Sequence, residues 1–105
     1  MQTNIKATNK VILTGKFINY KHNQDVRSKL TIAVESDFKF EDGTSWYDRF
    51  ELYVDRSLDD YLIEQISNGT LKENDYITVV GWLELYANKQ IKIATNKITL
   101  AGKED

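Results

Sequence analysis

Apolar residues recur at every second position over most of this chain, in segments rich in β-branched side chains. Leu30, Ile32 and Val34 alternate with Lys29, Thr31, Ala33 and Glu35, and Phe50, Leu52 and Val54 alternate with Tyr47, Arg49, Glu51 and Tyr53. Successive side chains of a strand point to opposite faces, so this period of two describes strands with one dry face and one wet face. Five such segments are expected: Lys10 to Phe17, Lys29 to Glu35, Ser45 to Val54, Tyr76 to Leu85 and Gln90 to Leu100. Gly15 and Gly81 interrupt their strands and are bulge candidates, as is the Asn96-Lys97 pair in the last strand. Asn19 to Ser28 reads as a loop, Ser36 to Thr44 with Asp42-Gly43 as a hairpin connection, and Ala87-Asn88-Lys89 as a turn.

One segment breaks the alternation. Leu58, Tyr61, Leu62 and Ile66 fall at helical spacing and form an apolar stripe, with Tyr61 expected to pack on the sheet. Ser57 with Asp60 three residues later has the form of a capping box, and Asn68-Gly69 supplies a stop. Three strands, a helix and two strands is the order of an OB fold. The expected class is therefore all-β: a five-stranded OB-fold Greek-key barrel with one α-helix between strands 3 and 4. An SH3-like barrel has no place for that helix, and a ferredoxin-like fold needs two. The whole chain, 1–105, reads as a single OB domain with its core at about 9–100 and short polar ends.

Composition narrows the chemistry. With no cysteine and one histidine, His22, the chain has no material for a thiolate metal site, a zinc cluster or a Ser/His/Asp triad. The five glycines are scattered and form no phosphate loop. No catalytic residue, no metal ligand set and no cofactor is expected, and the protein reads as a non-enzyme. No apolar run approaches a membrane span and Met1 to Lys10 is polar, so a soluble, cytoplasmic protein with no membrane partner is expected. The net charge of −2 is unevenly spread. Residues 1–30 carry six Lys/Arg against one acid, residues 31–75 four against twelve, and residues 76–105 four against three. Basic ends around an acidic middle form a positive groove if the fold joins the ends.

The aromatic residues, 11% of the chain, outnumber the places for them inside a small barrel. Phe17 and Phe50 fit the core by parity. Tyr47 and Tyr53 flank Arg49 on the outward face of the third strand, and Trp82 and Tyr86 share parity on the fourth, opposite Leu83 and Leu85. Phe38 and Phe40 fall in the hairpin, and Trp46 opens the third strand, turned outward if a bulge lies near Tyr47-Asp48. Rings on a strand face with cations nearby suit unpaired nucleic acid, because every base offers a flat face to stack on. The candidate phosphate contacts are Lys16, Lys21, Lys29, Lys39, Lys89 and Arg49, within a wider set that includes Lys10, Lys92 and Arg27.

The segments NKVILTGKF, KLTIAVES, TSWYDRFELYV and NGTLKENDYITVVGWLEL, in that order and spacing, resemble bacterial and phage single-stranded DNA-binding proteins over about Asn9 to Leu100. The resemblance implies sequence-tolerant binding of single-stranded DNA in replication, recombination or repair. It implicates Phe38, Trp46, Tyr53 and Tyr86 in base stacking, and leaves the role of Trp82 open. It implies a homo-oligomer, a tetramer before a dimer, with outward Ile12 and Val80 compatible with assembly. Cellular members carry a long tail with an acidic tip that recruits partners. This chain ends at Ala101-Gly102-Lys103-Glu104-Asp105 without one, which fits a tail-less phage or mobile-element version acting in the host cytoplasm. Two other readings use the same barrel: a primosome-like protein–protein adaptor, and a single-stranded RNA-binding module.

Overall fold

The computed structural model describes residues 8–100. The sequence expectations for Met1 to Ala7 and for Ala101 to Asp105, the reading of the chain end among them, lie outside the described residues. The element order is β1 (Val11–Lys21), β2 (Ser28–Lys39), β3 (Ser45–Val54), a 3₁₀ turn (Arg56–Leu58), α1 (Asp59–Ser67), β4 (Tyr76–Leu85) and β5 (Ile91–Leu100). The strands close into a barrel in the order β1-β2-β3-β5-β4. β1 pairs antiparallel with both β2 and β4, and β3 meets β5 in parallel through Leu52–Val54 and Ile93–Thr95. With α1 between β3 and β4, this is the OB fold.

The alternation fills the barrel as expected. Phe17, Leu30, Ile32, Leu52, Val54, Leu62, Leu71, Ile77 and Val79 form the core. Phe50 is only partly buried and packs against it. Closure demands two bare backbone positions. A Cβ on Gly15 would lie 2.4 Å from the Ala33 carbonyl oxygen, and one on Gly81 only 1.8 Å from that of Ala94. The two glycines serve differently. Gly81 sits at a register shift, where β5 carries the extra residue Asn96 between the partners of Val80 and Gly81. Gly15 does not bulge: pairing with β4 runs regularly through it, and the irregularity of β1 lies between Phe17 and Asn19. Its role is the close approach where β1 passes from β4 to β2.

Two strand ends differ from the sequence reading for one reason: polar residues are at home in strands that run past the core. β1 continues through Asn19-Tyr20-Lys21, and β2 through Ser36 to Lys39, segments read as loop and hairpin. The cap of the helical segment also moves. Asp55, not Ser57, accepts the Ser57 backbone N–H, and Leu58 precedes α1 with no side-chain cap bond. The stripe buries less than expected. Leu62 is fully buried, but Tyr61 is 40% exposed and Ile66 36%, so Tyr61 does not pack into the barrel. α1 covers the barrel end mainly with Leu62, helped by Leu58 and by Leu71 beyond its end.

Candidate nucleic-acid interface

The β2–β3 and β4–β5 hairpins both run beyond the barrel. There the strand face that would be inward has no core to cover it. Leu83 and Leu85, of inward parity, are exposed at 45% and 74%. The same geometry explains Trp46. No bulge at Tyr47-Asp48 turns it outward, since the β2–β3 register is regular through Glu35↔Tyr47 and shifts only between Glu35 and Lys39. Trp46 keeps the parity of Phe50 and Leu52 and lies on the arm past the core, 43% exposed.

Three groups of rings and cations lie along β3. The first is on that arm. Phe38, 59% exposed, meets Trp46 edge-on at 6.0 Å, and Phe40 joins them at 5.9 and 5.3 Å. Ser36, Phe38, Trp46 and Asp48 line an open cavity of about 380 Å³, and the Trp46 indole N–H donates to Asp48 at 2.9 Å. The opposite face of the arm is polar. Lys39 lies 3.6 Å from Glu35, and the Ser45 hydroxyl, which donates to Glu35, and then Lys39 hold that carboxyl below its ordinary range.

The second group crosses the middle of the sheet. Lys16, Ala33 and Arg49 are register neighbours on β1, β2 and β3, and the Lys16 ammonium sits 4.5 Å over the Tyr47 ring. A cation over an aromatic face is held there electrostatically. Arg49 has no ion-pair partner among the described residues.

The third group closes the far end. Lys29, Tyr53, Ala94 and Trp82 are register neighbours across β2, β3, β5 and β4. Tyr53 and Tyr86 stack at 6.2 Å and 20°. The Arg27 guanidinium lies 4.7 Å over Tyr53 and donates to both Glu84 oxygens, at 2.6 and 3.1 Å, and to the Tyr86 hydroxyl at 2.8 Å. The Trp82 indole N–H also donates to Glu84, at 3.0 Å. These bonds, Arg27's first, hold the Glu84 carboxyl below its ordinary range, and the Glu84 bond raises Arg27. Asn23, Val26, Arg27, Lys29, Tyr53 and Tyr86 line an open cavity of about 460 Å³.

Arg27 is placed by its loop. Asn23 accepts the backbone N–H groups of Asp25 and Val26, and its own N–H donates to Ser28. Arg56 donates to the Asp25 carbonyl at 2.8 Å. Beneath, the Tyr20 hydroxyl donates to the buried Asp59 at 2.6 Å, with His22 3.8 Å from the same carboxylate. Burial first, then the bond to Asp59, pushes the Tyr20 phenol up to about 12. The network fixes the β1–β2 connection to α1 and so aims Arg27 at Tyr53.

Every ring expected to stack is thus reachable from solvent, but not in one row. Phe38 and Trp46 stand on one face of the β2–β3 arm, Tyr47 and Arg49 on the other, and Tyr53, Trp82 and Tyr86 at the far end. Lys16 and Lys29 lie within the groups, Lys29 also 3.7 Å from Glu51. Lys21 faces Lys29 across β1 and β2, and Lys89 sits at the tip of the β4–β5 turn with a φ of 64°. Lys39 is on the polar face of the arm. Sequence reasoning passed over Phe40 as a site residue, and missed Asp48 and Glu84 altogether. The signal was present: Trp46 with Asp48, and Trp82 with Glu84, share a strand face because they are two residues apart.

No family model matches the sequence, and neither does any curated protein. Solved structures do. The mitochondrial single-stranded DNA-binding protein Rim1 of S. cerevisiae superposes with a TM-score of 0.62 at 13% identity, over 91% of this chain and 97% of that one. The chain shares its fold with these proteins. A small single-stranded DNA-binding protein from Streptomyces coelicolor gives 0.59 at 14% identity, over 92% and 97%. A Plasmodium falciparum SSB solved with single-stranded DNA gives 0.57 at 17%, again over 92% and 97%.

Proposed function

We propose that this chain is a non-enzymatic, single-domain OB protein that binds single-stranded DNA without marked sequence choice, by base stacking and Lys/Arg–phosphate contacts. The observation that carries this reading is the set of exposed rings at both ends of β3 with Lys16 and Arg49 between them. Trp46 and Tyr53 are seven residues apart, about 24 Å along an extended strand and on opposite faces of β3, so a single strand that meets both passes around the edge of the β2–β3 arm. Stacking on Phe38 and Trp46 at one end and on Tyr53, Trp82 and Tyr86 at the other contributes about 1–3 kcal/mol per base. Tyr47 and Arg49, with Lys16, Lys21, Lys29, Lys39 and Lys89, supply the remaining contacts. The likeness to three single-stranded DNA-binding proteins supports the reading through the shared fold. The role falls in replication, recombination or repair, in the cytoplasm, as a homo-oligomer.

The test is fluorescence anisotropy with a labelled oligo-dT, its duplex and a matched RNA. Tight binding of the single-stranded DNA alone, weakening with salt by about 0.7 in log–log slope per phosphate contacted, is expected. Salt-insensitive binding, or equal affinity for duplex, contradicts the reading; preference for the RNA reassigns the ligand.

A further inference from the structure

The guanidinium of Arg27 is the best-placed cation at the Tyr53 end, yet three of its five N–H donors are engaged within the protein. It lies over the Tyr53 ring and spends its planar fork on the two oxygens of Glu84, with one further bond to Tyr86. An arginine fork matches a carboxylate and a phosphate in the same bidentate way. Glu84 is itself held from behind by the Trp82 indole, and both partners are about three-tenths exposed. The pair bridges the β1–β2 connection and the β4–β5 hairpin, the two segments that flank the ligand face of an OB barrel. The carboxylate is also unwelcome there on charge grounds, since it faces the approach of a polyanion.

We propose that Glu84 occupies the phosphate position of Arg27, so that a single strand binds at Tyr53 by exchanging a backbone phosphate for the Glu84 carboxylate. The inference rests on the single-strand reading above. The exchange has a cost, the loss of a bidentate ion pair, and a benefit, since the freed cation meets a phosphate while its ring-stacked side chain stays in place. Glu84 therefore weakens binding at this end and keeps it selective for ligands that carry a phosphate at fork distance from a stacked base.

Removing the competing charge tests this. Glu84→Gln keeps the shape of the side chain. It is expected to tighten binding to oligo-dT by about fivefold, the scale of one exposed ion pair, and to steepen the salt slope by about 0.7, because the counterion released at the Arg27-bound phosphate is no longer offset by one taken up at a freed Glu84 carboxylate. Glu64→Gln, which removes an exposed carboxylate of α1 that pairs with no cation of the candidate site, is the control for general charge and leaves the slope unchanged. Adding Arg27→Ala to Glu84→Gln is expected to return the slope to that of the unmodified protein. The inference is overturned if Glu84→Gln binds no tighter, if Glu64→Gln matches its change in slope, or if the steeper slope survives loss of Arg27. If the unmodified protein binds no single strand, the underlying reading fails and the exchange fails with it. Binding by the unmodified protein with no gain from Glu84→Gln overturns the exchange alone.

Discussion

Replacing Trp46 by alanine separates stacking from folding, because the structure puts the two costs on different scales. Trp46 is 43% exposed, on an arm beyond the barrel, and none of its ring partners belongs to the core. Its contacts with Phe38 and Phe40 amount to two aromatic pairs, about 0.5–1.5 kcal/mol each and less at an exposed site. The destabilisation should therefore stay near 1 kcal/mol. Leu30→Ala, in contrast, empties a fully buried position and should cost about 2–5 kcal/mol. For DNA the ranking reverses. Loss of the ring removes about 1–3 kcal/mol of stacking, a roughly 5- to 150-fold weaker dissociation constant, whereas Leu30→Ala leaves affinity of the folded fraction unchanged. Urea unfolding and anisotropy with oligo-dT, run on both variants, read the two scales. Trp46→Phe should restore most of the affinity. If Trp46→Ala unfolds as readily as Leu30→Ala, or binds as tightly as the unmodified chain, the arm is not a stacking platform.

Other consequences follow from the same structure. Gly81→Ala puts a Cβ 1.8 Å from the Ala94 oxygen, too close for any side-chain adjustment, and should cost about 3 kcal/mol by urea midpoint as the β4–β5 bulge opens. The Tyr20 phenol, raised to about 12 by burial and its bond to Asp59, stabilises the fold fully below its unfolded value near 10. That contribution is lost as pH climbs from about 10 through 12, so alkaline unfolding should begin in that window and be blunted in Tyr20→Phe; a variant with the same alkaline profile contradicts the assignment. The Arg27→Ala variant alone should weaken oligo-dT binding, by anisotropy, since it removes a phosphate contact and leaves the Glu84 carboxylate uncompensated.

Much of the fold was legible because alternation acts directly on burial. β3 and β4 were placed end to end from parity, and the single helix fixed the barrel's topology. The misses share a cause. Alternation marks only residues that meet a core, and polar extensions such as Asn19 to Lys21 and Ser36 to Lys39 carry no such mark although their backbones pair. For Trp46, parity argued inward and exposure outward; the arm satisfies both by leaving the inward face uncovered. Tyr61 follows the helical period but stands at the edge of a stripe that only Leu62 needs to bury. The site was half legible. Rings and lysines announce themselves as types, whereas the engagement of Arg27 by Glu84 depends on a contact between residues 57 positions apart.

Tryptophan emission from a Trp82→Phe protein, which leaves Trp46 as the sole reporter, tests the central claim most directly. Titration with poly-dT at low and then at high salt should quench that emission strongly and then release it, because the base leaves the ring when the phosphates lose their lysines. Emission that ignores the polymer, or quenching that salt fails to reverse, contradicts an open platform of rings and cations along β3.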